Sequence, residues 1–365
     1  MKISTVTKRI DSQGLSWTAG ETSRSAMSPK DLAGGSSGSN VAANMRAPMQ
    51  QMIALSNALQ AQIDQASGAT TPERCHWLDY LTPPKDQGTS CNSCTAFSVV
   101  GAIEARMNIQ TGEKPGAVNL SEGYVFFQGC GACCKNGWIT PSAISFCVRD
   151  GVPSEESFPY SPSGSPSPGT IQPIIKLTRS CKIANNPEIR RILFAKGPVI
   201  ADMDLYSDFA HYTGGIYKPV AANPIGTHSI CVVGFDDQPA SGEPPYWLCK
   251  NSWGLNWGFD PKTDTLGTGG YFKLAQGEAG LATNYFVYDI DIQILLSLAS
   301  ATLALESIRD TALTNASFRG CLKQTIKPSF PPKTCTAAQR DVANLAKDIC
   351  AAYPSLRPIL DPVLV

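Results

Sequence analysis

Thr89–Ser98, TSCNSCTAFS, sets two cysteines three positions apart at the head of a run of small and apolar residues that stops near Gly112. The run, NSCTAFSVVGAIEARMNIQTG, has the pattern of a buried helix, so one sulfur stands at a helix N-terminus. Unpaired N–H groups and the helix dipole favour an anion there. A C-x-x-C pair admits three chemistries: a redox couple, half of a zinc site, or one half of a structural disulfide beside a lone nucleophile. A thioredoxin-like couple needs a βαβ context, which PPKDQG upstream does not supply. A zinc site needs a second ligand pair, and CGACC at Cys130–Cys134 offers one on spacing alone.

The bulk composition narrows the classes. The formal net charge is zero and 16% of residues are charged, so the footprint of a nucleic-acid binder is missing and no polybasic stretch addresses anionic membranes. The apolar run Ile292–Leu305 falls short of the roughly 20 residues of a membrane span. Thirteen cysteines are many for a reduced compartment, and the odd number leaves at least one unpaired. MKISTVTKRIDSQGLSWTAG has no apolar core behind its lysines, so no secretory signal peptide is expected. Leaderless secretion reconciles the two observations; a cytoplasmic protein with mostly free thiols is the alternative.

Three regions are expected. Residues 1–71 join a Ser/Gly/Thr-rich flexible leader to an amphipathic helix that starts near Pro48 and carries Met49, Met52, Ile53, Leu59 and Ile63. Residues 72–292 form the main domain. In it ITPSAISFCVRDG reads as a second helix, with Pro141 in its first turn and Gly151 past its end, and PVIADMDL, HSICVVGFD and YWLCKNSW read as strands. Helices first and strands later predict α+β architecture with two lobes. Residues 293–365 are expected to hold two amphipathic helices, one on Ile294, Leu298, Ala301, Leu305 and Ile308, the other on Val342, Leu345, Ile349 and Tyr353.

The second half of the chain decides among the readings of the cysteine pair. PIGTHSICVVGFD puts His228 just before an apolar strand, 134 positions after Cys94, and YWLCKNSWGLNWG follows with Asn251. In this order, and in the blocks DQGTSCNSCTAFS, GTHSICVVGFDD and YWLCKNSWGLNWG, the chain resembles the papain family of cysteine peptidases. LSEGYVFF, FPY, KGPV and TGGIY are weaker echoes, and the likeness covers residues 72–290. Thr95, where the common residue is Trp, resembles bacterial members.

The resemblance implies a papain-like fold, with a helical lobe and a β-barrel-like lobe, and a cysteine endopeptidase acting on a protein or peptide substrate. Cys94 is then the nucleophile, its thiol made acidic by the helix end and a facing imidazolium. His228 is the general acid and base, Asn251 orients it, and Trp253 shields that bond. Gln87 joins the Cys94 N–H around the developing oxyanion. The walls of the substrate cleft map to Gly137, Trp138, Asp202, Gly226 and Ser229. An unpaired carboxylate at Asp202 would be costly in a pocket, and a strand register shifted by one would turn it to solvent instead. Cys91 pairs with Cys133 or Cys134, and Cys130 with Cys181. Cys147, Cys231 and Cys249 lie in apolar runs and read as buried free thiols. Residues 1–71 take the place of a self-inhibiting or export segment. No metal and no organic cofactor is implied.

The chain also departs from the family pattern. Seven positions separate Gln87 from Cys94, one more than usual, and the extra residue is expected to bulge the loop. Asn92 stands where glycine is common, a residue that tolerates positive φ if the loop demands it. Two rival functions share the constellation. One is another acyl transfer, such as amide or isopeptide hydrolysis or transamidation. The other is a non-catalytic binding protein on the same scaffold, disabled by the irregular loop.

Overall fold

A helix, α1 (Ile3–Ser12), and a two-residue strand, β1 (Thr18–Ala19), occupy the segment whose Ser and Gly content predicted a flexible leader. Trp17 explains the difference. It is 2% exposed, its ring centroid 6.2 Å from that of Tyr212 and 5.1 Å from that of Tyr217. One large aromatic anchor buries enough surface to order a polar stretch around it. The computed structural model describes residues 1–32, 71–111, 118–163, 171, 173–239, 242–295, 298–327, 335–352 and 354–364. The helix expected from Pro48 lies outside the described residues.

The chain divides into two units, Met1–Ile171 with Lys176–Ile292, and Gln172–Ile175 with Gln293–Val365. In the first, a short strand β2 (Arg74–His76) precedes α2 (Cys94–Thr111) and α3 (Thr140–Arg149). Ala96, Val99, Val100, Ala102, Ile103 and Ala105 of α2 have no exposed surface. A helix apolar on almost every side runs through a core rather than over it. Pro141 opens α3, and Gly151, at φ +75°, follows its end as expected.

The remaining elements are β3 (Ile175–Ile183), α4 (Asn186–Lys196), β4 (Val199–Leu205), β5 (Tyr212–Gly214), β6 (Ile216–Tyr217), β7 (Gly226–Asp236), β8 (Tyr246–Lys250), β9 (Phe259–Asp260), β10 (Thr265–Leu266), β11 (Tyr271–Ala275) and β12 (Val287–Ile294). They build a sheet in the order β10-β9-β11-β8-β7-β4-β12-β3, with β2 added to β7 and β6 to β11. The three runs read as strands are its adjacent members β4, β7 and β8, paired antiparallel and buried almost throughout. Their register sets Asp202 opposite Ser229 and Met203 opposite His228. β1 pairs antiparallel with β5.

The second unit holds α5 (Leu298–Thr314), α6 (Ala316–Ile326) and α7 (Ala337–Ala352) around Leu305, Ile308, Phe318, Leu322, Ala346 and Leu360. Two helices were expected there, and α6 is the addition. Its signal was Asn315, whose side chain accepts from the Phe318 N–H at 3.0 Å as an N-cap. Val342, expected on a buried stripe, is 39% exposed. A disulfide joins Cys321 to Cys335. Among the described residues no helix is long and apolar enough to cross a membrane.

Candidate active site

Cys94 is the first residue of α2, and the next two free N–H groups, of Ala96 and Phe97, donate to the Ser93 carbonyl. Its thiol and the imidazole of His228 from β7 line one cavity with Gln87 and Trp253. His228 Nε2 lies 2.7 Å from Asn251 Oδ1, which also accepts from the Ser252 N–H at 2.8 Å. Two donors on one atom make it the amide oxygen. The ring therefore carries its proton on Nε2 and keeps Nδ1 for the other side. The Trp253 ring lies 5.1 Å from the His228 ring and is almost fully buried.

Gln87 stays at the site despite the longer loop. Its N–H donates to the Ser252 carbonyl, Nε2 donates to the Cys91 carbonyl at 3.1 Å, and Oε1 accepts from Ser252 Oγ at 2.6 Å. Farther along the loop, Ser90 Oγ donates to the Pro162 carbonyl. Gly88, at φ +75°, allows the turn, and a Cβ there would meet Pro162 at 2.9 Å. Ser252, which holds Gln87 at two points, was not singled out from sequence; its only signal was adjacency to Asn251. Asn92 is not among the described residues with positive φ. It serves instead as a strut, its Nδ2 donating to the Cys134 carbonyl at 2.6 Å.

Cys91 is bonded to Cys134, one of the two expected partners. Cys130 is bonded to Cys133 and not to Cys181, which is free. The nearer partner wins because three residues of turn already bring the two Cα atoms to 5.8 Å, inside disulfide range. These two bridges take up the thiolates that the zinc reading would have used. Cys147, Cys231 and Cys249 are buried free thiols.

Asp202 does not face solvent. Its Oδ1 accepts from Thr140 Oγ1 at 2.6 Å and from Ser229 Oγ, and Ser229 in turn lies 3.2 Å from Thr95 Oγ1, the residue after Cys94. Among the described residues no ion pair involves this group, and burial raises its pKa. Gly137 makes its turn at φ +69°, and Trp138 packs against Phe126 and Phe146. Gly226 begins β7 opposite Leu205.

Behind the cleft, Lys85 bonds both Glu104 and Glu122.

The N-terminal segment covers the thiol. Arg24, Met27, Asp31 and Leu32 line the cavity that holds Cys94 and His228. His211 bonds Ser25 Oγ through Nδ1 and the Met1 carbonyl through Nε2. Burial pushes the Cys94 thiol up to about 11. It also pulls the His228 imidazole down to about 4, against the Asn251 hydrogen bond and with help from the Arg24 charge. Burial thus favours the neutral thiol and the neutral imidazole, against the acidic thiol expected from the helix end.

The papain family cysteine protease model matches residues 71–288. Fruit bromelain from Ananas comosus is 29% identical over 59% of this chain and 58% of its own length. Cathepsin R from Mus musculus is 33% identical over 58% of this chain and 62% of its own. The chain thus spans about three fifths of these relatives. Among solved structures, the digestive procathepsin L 3 of Tenebrio molitor larval midgut aligns with a TM-score of 0.56 at 20% identity, over 79% of this chain and 87% of that one. The likeness bears out the papain-like α+β fold. The affinity to bacterial members that Thr95 suggested draws no support from these plant and animal proteins.

Proposed function

Because the chain belongs to the papain family of cysteine proteases, we propose that it is a cysteine endopeptidase whose N-terminal residues hold it in a covered, inactive form. Once uncovered, the Cys94 thiol passes its proton to His228 Nδ1, and the thiolate so formed attacks a peptide carbonyl. The oxyanion forms against the Cys94 N–H and Gln87 Nε2, and His228 Nδ1 protonates the departing amine. Water, deprotonated by His228, then hydrolyses the thioester. The observation that carries this reading is the doubly satisfied Asn251 Oδ1, which leaves the other nitrogen of the His228 ring for the cavity that Cys94 also lines. The retained Gln87 supports a working enzyme over a disabled scaffold.

The test is an epoxysuccinyl thiol-protease inhibitor followed by intact mass. One adduct on Cys94, lost in Cys94→Ala together with peptide hydrolysis, supports the assignment. A label on Cys91 or Cys231 overturns it.

For autoinhibition, the support is the line of Arg24, Met27, Asp31 and Leu32 across the cavity, together with likeness to a procathepsin over 79% of the chain. Cleavage that frees residues 1–71 is expected to raise activity. The disulfides favour an oxidising destination. Asp202, supplied only with hydroxyls, favours Arg or Lys two residues before the scissile bond.

A further inference from the structure

Arg24 is 2% exposed, unusual for an arginine in a segment that composition marks as polar. Its Nη2 bonds Asp86 Oδ1, its Nη1 donates to the Gly88 carbonyl at 2.9 Å and to Met27 Sδ, and its guanidinium lies 5.8 Å from the Trp253 ring centroid. A carboxylate and a carbonyl at the edge of a planar cation, with an aromatic ring nearby, suit a guanidinium better than an ammonium.

The receptor for this group does not depend on its occupant. Asp86 Oδ1 also accepts from the Gly88 N–H at 2.8 Å. The Asp86 backbone is bridged to Trp253, and the Gly254 N–H donates to the Lys85 carbonyl at 3.1 Å. A Cβ on Gly254, at φ +73°, would come within 2.9 Å of Asp86 Oδ2, so glycine there keeps room for the carboxylate. Every one of these supports belongs to residues 85–254.

Its position has a chemical meaning. The group that protonates the leaving amine must lie beneath the leaving strand. The Trp253 ring lies tilted beside that imidazole, at 5.1 Å between ring centroids, and Asp86 of the Arg24 receptor is bridged to Trp253 through the backbone. Asp202 and Ser229 are on other elements and touch Thr140 and Thr95 instead.

We propose that Asp86, the Gly88 carbonyl and the Trp253 ring form a guanidinium subsite for a substrate arginine on the leaving-group side of the scissile bond, held in this structure by Arg24. The proposal rests on the endopeptidase reading for its meaning. The subsite binds Arg in preference to Lys, and Lys in preference to Gln, and the chain's own Arg24 competes for it.

The test separates binding from hydrolysis. Full chains carrying Cys94→Ala alone, with Arg24→Lys, or with Arg24→Gln are titrated with fluorescein-labelled peptides. The peptides differ only in having Arg, Lys, Gln or Glu at the first or second leaving-side position, and anisotropy is read. With Arg24→Gln, the arginine peptide should bind about tenfold tighter than the glutamine peptide, on the order of one charge-assisted hydrogen-bonded pair. Its affinity should fall in the order Arg24→Gln, Arg24→Lys, then the Arg24 chain. Adding Asp86→Asn should bring the arginine and glutamine peptides within twofold of each other. Equal affinities for arginine and glutamine peptides at both positions overturn the subsite, as does an affinity that ignores the residue at position 24. The same peptides are then offered to chains with Cys94 intact after cleavage has freed residues 1–71. Selective binding without hydrolysis upholds the subsite and dismisses the endopeptidase reading. Hydrolysis without selectivity does the reverse.

Discussion

Asp86 and Asp202 are two carboxylates beside one cleft, and the fold treats them in opposite ways. Asp86 is exposed at its own surface, yet it meets a buried guanidinium and a backbone N–H. Asp202 is the more enclosed of the two and is given only the hydroxyls of Thr140 and Ser229. Hydroxyl donors satisfy an oxygen without balancing its charge, so burial raises the Asp202 pKa. The difference teaches that, among the described residues, Asp86 has a cation for a partner whereas Asp202 has hydroxyls, and the proposal that a substrate cation completes Asp202 rests on that contrast.

The largest expected effect tests the reference point between the two. Gln87 belongs to neither carboxylate and should serve every substrate alike. In the uncovered enzyme Gln87→Ala should lower kcat about 10²–10³-fold for all of them, with KM little changed. A loss below tenfold would mean that the longer loop has removed it from the chemistry.

The next effect concerns the cover that fills the Asp86 side. His228 has an ordinary pKa of 6.5 and is held at about 4 under the cover. Between those values the opened or unfolded chain binds a proton that the covered form does not. The His228 contribution to stability is therefore flat above pH 6.5 and falls as the pH drops from 6.5 to 4, by about 3 kcal/mol in total. Thermal unfolding at pH 7, 5.5 and 4 checks the sign, and His228→Gln should flatten the profile.

Arg24→Gln should break the comparison on the Asp86 side alone. Losing one charge-assisted contact of about 1.5–3 kcal/mol should speed iodoacetamide labelling of Cys94 in the full chain roughly 10- to 100-fold at pH 7. Asp202→Asn should speed it far less, since Asp202 does not hold the segment and acts on the thiol only through its charge, which adds to burial in raising the Cys94 pKa.

The smallest effect sharpens the Asp202 side. A positional library is expected to show Arg or Lys favoured over Leu or Phe two residues before the scissile bond, by about tenfold, as for a partly desolvated charge pair. Asp202→Ala should erase the gain. An apolar preference that survives the substitution would show that the hydroxyls alone satisfy this carboxylate.

What could be read from the chain by itself was local or ordered along it. The small-residue run after Cys94 made a buried helix with the thiol at its first residue, Pro141 and Gly151 bounded the next helix, and the order Cys94, His228, Asn251 was legible because each stands in a distinctive block. Short apolar runs bounded by turn residues placed β4, β7 and β8, since turn chemistry acts over a few positions. Tertiary structure alone decided the rest. Cys130 chose Cys133 over Cys181 by proximity, Ser252 found Gln87 across 165 residues, and Asp202 turned to Thr140 and Ser229 through β-strand register. Trp17 and Arg24 carried no signal in a polar leader, because their effect depends on the Tyr212–Tyr217 and Asp86–Trp253 surfaces they reach. The protonation of Cys94 and His228 belongs to the same class. A helix end promises an acidic thiol, but how much water remains around it is set by whatever packs on top.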